Sequence, residues 1–280
     1  MKKRINTDTI VVYHRDCSDG FGSAWAAWQV FGNKAIYLSS RPNPDDFDLD
    51  GFKGKKIFLV DVSFSGDLIK KLLAAGNEVT VIDHHLTTAN TMKLVDNHSF
   101  DLKHSAAVLT WLYLQPKKPV PKLLLYIEDM DLWLFNLPNS REISGLLEVQ
   151  KKDFKQWNKL AFNFEKAGFR KKFTEQGKTF LVLRDEMIAE MMTKADEVIF
   201  EGYKTLAVNA PFWSSEIGSA IYTKKPPIGI VWSQRGKQYF VSLRSNGRAD
   251  VRLLAEKYGG GGHKKAAGFR WPIDKPLPWI

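Results

Sequence analysis

The first half of the chain places carboxylates and imidazoles directly behind short apolar runs. Val79 to Ile82 is followed by Asp83-His84-His85, and Phe58 to Val60 by Asp61. The run from Ile10 ends in His14-Arg-Asp16-Cys17-Ser-Asp19-Gly20, and a later segment reads Glu128-Asp129-Met-Asp131. Oxygen-rich sets with histidine suit divalent cations; the carboxylates favour Mg or Mn, and the imidazoles widen the choice. A single carboxylate after a strand often does no more than cap a helix. Four that converge from separate elements repel one another unless cations neutralise them. Neighbouring residues leaving a strand point different ways, so one imidazole of His84-His85 can bind metal while the other faces substrate.

Such convergence needs a scaffold that gathers strand ends. Ile10 to His14, Ala35 to Ser39, Lys56 to Val62 and Val79 to Asp83 read as strands. Gly20 to Phe31 reads as a helix with Ala24, Trp25, Ala27, Trp28 and Phe31 inward. Leu68 to Ala75 is a short helix stopped by Gly76. Ser105 can cap a helix to Leu114, and helical rhythm resumes from Leu123 to Trp133. Alternating strands and helices imply an α/β fold with a mostly parallel sheet, whose ligands gather at the strands' carboxyl ends. The first domain is expected over residues 1–140. Residues 141–200, rich in Lys, Glu, Phe and Leu and free of proline, read as a helical connector. A smaller α/β domain is expected over 201–280. It has strands at Thr205 to Asn209, Ile228 to Ser233 and Gln238 to Arg244, and helices around Ile217 to Tyr222 and Ala249 to Tyr258.

At 280 residues the chain has room for one large domain or two. No run approaches the ~18 apolar residues that span a membrane, and the apolar stretch after the basic N-terminus is too short for a signal-peptide core. One cysteine, Cys17, excludes an internal disulfide. The expectation is a soluble cytoplasmic protein. The net charge of +10 is uneven: residues 1–140 hold 16 basic and 16 acidic residues, and 141–280 hold 25 and 15. The excess in the second half suits an anionic partner such as phosphate or nucleic acid. There, Arg244-Ser245-Asn246 precedes a helix and then Gly259 to Gly262 and His263. Glycines let backbone amides approach an oxyanion, although such a run is more often a plain loop. Trp133, Trp213 and Trp232 are faces on which a base could stack, although most of the nine tryptophans belong to the core.

Together Asp61, Asp83-His84-His85, the His14-to-Gly20 segment, Asp129 and the Gly-run with His263 resemble the DHH phosphoesterase family with its DHH-associated C-terminal domain. That family includes RecJ-type exonucleases, oligoribonucleotide hydrolases, nucleotide phosphatases and cyclic-dinucleotide phosphodiesterases. The resemblance implies two lobes with the active site in the cleft, and two Mn ions there, with Mg, Co or Zn as alternatives. It implies metal ligands His14, Asp19, Asp61 (bridging both ions), His84 and Asp129, with Asp131 the alternative late ligand. His85, with Asp83, would form the catalytic, substrate-facing part of the triplet. Arg244, Ser245, Gly260, Gly261, Gly262 and His263 would grip the substrate's phosphate or far nucleotide.

The implied activity is metal-dependent hydrolysis of short oligonucleotides or small nucleotides by a water activated between two metals. Polyphosphate or pyrophosphate hydrolysis, and nucleotide or nucleic-acid binding without turnover, are the alternatives. A homodimer is compatible with either. One departure stands out. The family's first motif commonly reads His-x-x-x-Asp-x-Asp, and Cys17 falls where its first aspartate belongs. A thiolate is a softer ligand, better suited to Zn, so His14, Asp16 and Cys17 all remain candidates at that position.

Overall fold

The computed structural model describes residues 7–15, 17–41, 51–62 and 64–279. It divides into two compact units, residues 1–181 and 182–280. The first is built on strands β1 (Thr9–His14), β2 (Ala35–Ser40), β3 (Lys56–Val60), β4 (Glu78–Asp83) and β5 (Asn97–Phe100). They form one parallel sheet in the order β2-β1-β3-β4-β5. Side chains alternate between its faces. Ile10, Val12, Ile57, Leu59, Val79 and Val81 pack on one side with Ile69 and Leu72 of helix α2 (Gly66–Ala74) and Met92 of α3 (Ala89–Met92). Val11, Val60 and Ile82 pack on the other with Ala27 of α1 (Ser18–Phe31) and Leu109 of α4 (Ala106–Leu114).

The helix starts follow their caps. Cys17 accepts from Gly20 N ahead of α1, Ser65 from Leu68 N ahead of α2, and Ser105 from Val108 N ahead of α4. Gly76, at φ +77°, follows α2 as expected. Gly20 is required by proximity: a Cβ there would lie 2.2 Å from the His14 carbonyl oxygen. A side chain would push the start of α1 off the end of β1.

The expected separate connector is not what residues 141–181 form. Helices α5 (Lys122–Asp131), α6 (Ser140–Glu148), α7 (Phe154–Phe164) and the start of α8 (Ala167–Thr193) build a third layer over α1 and α4. Leu123, Leu124, Ile127, Ile143, Leu147, Trp157, Phe164 and Phe173 bury against Phe21, Trp25 and Trp111 there. The Phe and Leu that mark this stretch therefore face a core, and the helices belong to the first unit. The structural boundary redistributes the charge as well. Residues 1–181 hold 26 basic and 21 acidic residues, and residues 182–280 hold 15 and 10.

The second unit contains β6 (Asp196–Phe200), β7 (Tyr203–Asn209), α9 (Ser214–Lys224), β8 (Ile228–Arg235), β9 (Gln238–Ser245), α10 (Val251–Glu256), β10 (Gly261–His263) and β11 (Ala266–Pro272). The sheet order is β10-β11-β9-β8-β7-β6; only β7 and β8 pair in parallel, with α9 as their crossover. Val231, Leu206 and Val208 pack under α9, and Ile230, Leu243 and Phe269 pack with Val251 and Ala255 of α10. No described helix is long and apolar enough to cross a membrane.

Candidate metal centre

Strand order reverses between β1 and β3, because β2 lies on one side of β1 and β4 and β5 on the other side of β3. Such a switch point leaves a crevice at the strands' carboxyl ends. The chain puts His14 at the end of β1, Asp61 just beyond β3 and Asp83-His84-His85 at the end of β4. Asp61 has φ +55°, a conformation that non-glycine residues rarely adopt. Its N–H still donates to Ile82 O at 3.0 Å.

The two Asp61 oxygens face different partners. Oδ2 lies 3.4 Å from His14 Nδ1 and accepts from Cys17 Sγ at 3.2 Å. Oδ1 lies 3.8 Å from both His84 Nε2 and His85 Nδ1. His84 Nε2 is also 3.3 Å from Asp131 Oδ2 and 3.9 Å from Asp19 Oδ2. Within the first unit, three sets of donor atoms among the described residues therefore come together: His14, Cys17 and Asp61; Asp61, Asp83, His84 and His85; and Asp19, His84 and Asp131.

Charge balance in this cluster fits divalent ions. Burial, then the charges of Asp131 and Asp61, push the Asp19 carboxyl well above its usual range. Loss of water around the carboxylate is likewise the main cause that raises Asp131 to about 6, Asp61 adding to it while His84 opposes, although the residue itself is exposed at the rim of the cluster. Three carboxylates this close are costly without positive charge between them. Cations would remove that cost, and the oxygen and imidazole donors are those that Mn or Mg accept.

Asp83 has a different task. Its Oδ1 accepts from His84 N at 2.7 Å, His85 N at 3.1 Å and His85 Nδ1 at 2.6 Å, and its Oδ2 accepts from Thr88 Oγ1 at 2.6 Å. Burial opposes ionisation, but these hydrogen bonds, His85's first, hold its pKa below the carboxylate range. Burial also opposes charge on His85, yet Asp83 raises it to about 10. Asp83 is thus a positioning residue that fixes the ring of His85 and the turn carrying His84. Thr88 shares that work and was not anticipated. The signal for it is the Thr five residues after the Asp, within reach of the same turn.

The late aspartate that joins the cluster is Asp131, whereas Asp129 is placed elsewhere. Asp129 is buried and accepts from Asn136 N at 2.9 Å and Leu137 N at 3.1 Å, anchoring the loop after α5. Residues two apart on a helix project to nearly opposite sides, so α5 can send only one of the pair to the centre. Asp19 also supports structure: its oxygens accept from Ala106 N and Ala107 N at 2.9 Å, at the start of α4. Asp16 lies outside the described residues. Trp133 follows Asp131 by two residues, 39% exposed and at φ +57°.

The second unit treats its expected ligand-binding residues unevenly. His263, Ala266, Arg244 and Gly229 are register partners across β10, β11, β9 and β8, and so share one face of the sheet. Arg244 donates from Nη2 and Nε to Ser215 Oγ at 3.0 and 3.3 Å and from Nη1 to Leu243 O at 2.9 Å. Burial lowers its pKa, against the pull of Glu216. Ser245 is a turn former, with its hydroxyl donating to Ala249 O and accepting from Gly247 N. The glycine run has a packing reason. A Cβ at Gly260 would meet Gly268 O at 2.1 Å, and one at Gly262 would meet Ala266 O at 2.6 Å. The expected phosphate cradle is therefore, in large part, the tight hairpin of β10 and β11.

Residues 217–275 match the family model described as the DHHA1 domain. This segment is similar to the DHHA1 domain. The DHH domain of a protein from a family of ribosomal proteins shares the fold: it superposes with a TM-score of 0.62 at 16% identity, covering 96% of this chain and 84% of its own. An exopolyphosphatase-related protein from Bacteroides fragilis superposes with a TM-score of 0.50 at 13% identity, covering 94% and 86%. An uncharacterized protein of Acanthamoeba polyphaga mimivirus is 29% identical over 93% of this chain, which spans 66% of that relative's length. The fold around the DHHA1 segment is thus that of DHH-domain proteins.

Proposed function

We propose that the chain is a divalent-metal-dependent phosphohydrolase acting on phosphodiesters or phosphomonoesters of short oligonucleotides or small nucleotides. The observation that carries this reading is the bridging position of Asp61, one oxygen toward His14 and Cys17 and the other toward His84 and His85. His14 and Asp61 would hold one ion, with Cys17 beside it, and Asp19, Asp61, His84 and Asp131 the second. Two bound divalent ions supply charge neutralisation at a phosphoryl group and acidify the attacking water.

The other steps fall to the chain's own residues. His85 commits Nδ1 to Asp83 and keeps its proton at neutral pH, so its Nε2–H is the donor offered to a phosphoryl oxygen. Arg244 and His263, on one face of the second sheet, supply cationic and hydrogen-bonding groups for a more distant phosphate. Trp133 presents an aromatic face next to Asp131 on which a base can stack.

The test is hydrolysis with Mn present of di- to pentanucleotides, cyclic dinucleotides, 3′-phosphoadenosine 5′-phosphate and polyphosphate. Turnover of a nucleotide substrate that EDTA abolishes is expected. Turnover confined to polyphosphate would replace the substrate class. No turnover with Mn, Mg, Co or Zn would leave a binding protein.

A further inference from the structure

The first unit has a second polar cavity that shares no residue with the metal cluster. It encloses about 340 Å³ between the start of α6 and one stripe of α8, at the lower end of the range for small-molecule sites. Its α8 wall is made by Arg170, Lys171, Thr174 and Lys178, which lie on one helical face. Tyr126 and Asn139 line the side opposite. A Cβ at Gly177 would meet Glu142 O at 2.1 Å, so α6 and α8 cross in contact there.

Several of its polar groups are already engaged. Arg170 donates to Phe164 O at 2.5 Å, Tyr126 donates to Pro138 O at 2.9 Å, and Lys178 pairs with Glu175, the cavity's one carboxylate, at 3.0 Å. Two features remain uncommitted. Thr174 is only 5% exposed and lines the cavity, yet its hydroxyl meets no hydrogen-bond partner among the described residues. Lys171 makes no ion pair among the described residues. Helix α6 adds a third. Asn139, which lines the cavity, precedes it at φ +58° without a side-chain capping bond; Ser140 N donates to Leu137 O at 3.2 Å, and the rest of the first turn, which carries Glu142, has no side-chain cap. The Thr174 hydroxyl is thus a donor open to the cavity, and an uncapped helix start beside three cations favours an anion.

We propose that this groove binds a dianionic phosphate, held by Lys171, the Thr174 hydroxyl and the start of α6. Arg170 and Lys178 set the positive potential around it. The phosphate can come as inorganic phosphate or as the terminal group of a nucleoside monophosphate, for which Tyr126 would line the remainder of the space.

Titration calorimetry on the full chain in EDTA, with inorganic phosphate and with AMP, separates the two sources. Lys171 is exposed, so Lys171→Glu should fold normally, as circular dichroism would check. It is expected to weaken binding at least about tenfold in whichever arm binds, as loss of a charge-assisted contact requires. Thr174→Val is expected to weaken the same arm by a smaller factor. If neither ligand binds the wild type, or if Lys171→Glu and Thr174→Val both give the wild-type isotherm in both arms, the site does not exist. The outcome is independent of hydrolysis, so it stands or falls apart from the proposed activity.

Discussion

The two units handle their polar residues in opposite ways. The first buries charge: Asp19, Asp61, Asp83 and His84 are all within 4% of full burial and surround one crevice. The second keeps its buried polar groups few and puts them to structural use, as Ser245 in its turn and Thr205 Oγ1 on Ile228 O at 2.5 Å show. Buried charges that repel one another are expensive, so a sequence that carries them states a need for cations. Glycines and serines in a hairpin state a need only for close packing. The difference teaches which sequence signals deserve weight. Convergent carboxylates bear on chemistry, whereas a glycine run can be explained in large part by the backbone it lets through.

The sharpest way to break this contrast is Asp61→Ala. It removes the one side chain shared by the two donor sets on either side of it. The expected outcome is loss of bound Mn and of turnover well beyond the ~100-fold typical of a supporting residue, in a protein that still folds. Metal analysis and hydrolysis of a dinucleotide decide it. Most of the wild-type activity surviving would remove the assignment.

Asp83→Asn is expected to have the next largest effect, about 10- to 100-fold in turnover, through the loss of its bonds to His84 N, His85 and Thr88. Its physical signature is separate from activity. In metal-free protein His85 should titrate near 10, and in the variant its pKa should fall toward 6.5. The sign follows from the pair. The raised His85 contributes stability fully below its unfolded pKa and loses it as pH climbs toward 10. The depressed Asp83 contributes above its unfolded pKa and loses it in acid. Imidazole resonances followed by NMR across pH 5 to 11 measure the shift, and an unmoved His85 would mean that Asp83 does not hold it.

Arg244→Ala probes the other unit. It should raise KM for a nucleotide substrate about tenfold through a lost charge-assisted contact, with kcat and metal content little changed. Loss of bound Mn would show that the contrast between a metal-holding unit and a substrate-holding unit is drawn in the wrong place.

The parts of the site that could be read in the sequence are those that follow strands. Val79 to Ile82 and Phe58 to Val60 are unbroken apolar runs, and whatever follows such a run sits at the sheet's carboxyl edge. Asn97 to Phe100 has no such run, and β5 is invisible to that reasoning because pairing with β4 makes it a strand. The choice between Asp129 and Asp131 depends on the phase of α5, which its packing against α1, α4, α6 and α7 fixes. Residues 141–181 carry aromatic and aliphatic residues at helical spacing, which tells that they bury a face but not against which partner. The short β10 is a strand only by virtue of β11, and glycines alone announce no such pairing.

The smallest expected effect concerns Cys17, where the chain departs from the motif it otherwise resembles. Its sulfur lies 3.3 Å from His14 Nδ1, donates to Asp61 Oδ2 at 3.2 Å and accepts from Gly20 N at 3.0 Å as the cap of α1. Burial, then the charges of Asp61 and Asp19, push its thiol well above the usual range. In the absence of a cation it therefore stays protonated, and its proton serves Asp61. Serine keeps both the donor and the cap, so Cys17→Ser should retain near-normal activity and the same preference for Mn over Zn. If instead the thiolate enters the coordination shell, metal must drive its ionisation, and wild type should favour Zn with an affinity that rises with pH. Dissociation constants for Mn and Zn on wild type and Cys17→Ser separate the two. A loss of Mn affinity beyond about tenfold in the serine variant, with helix content unchanged, would place the sulfur on the metal. Cys17→Asp then tests the electrostatic logic of the whole crevice. A fourth carboxylate beside Asp61 should tighten Mn binding while lowering the stability of the metal-free protein, because the same repulsion that a cation relieves is worse without one.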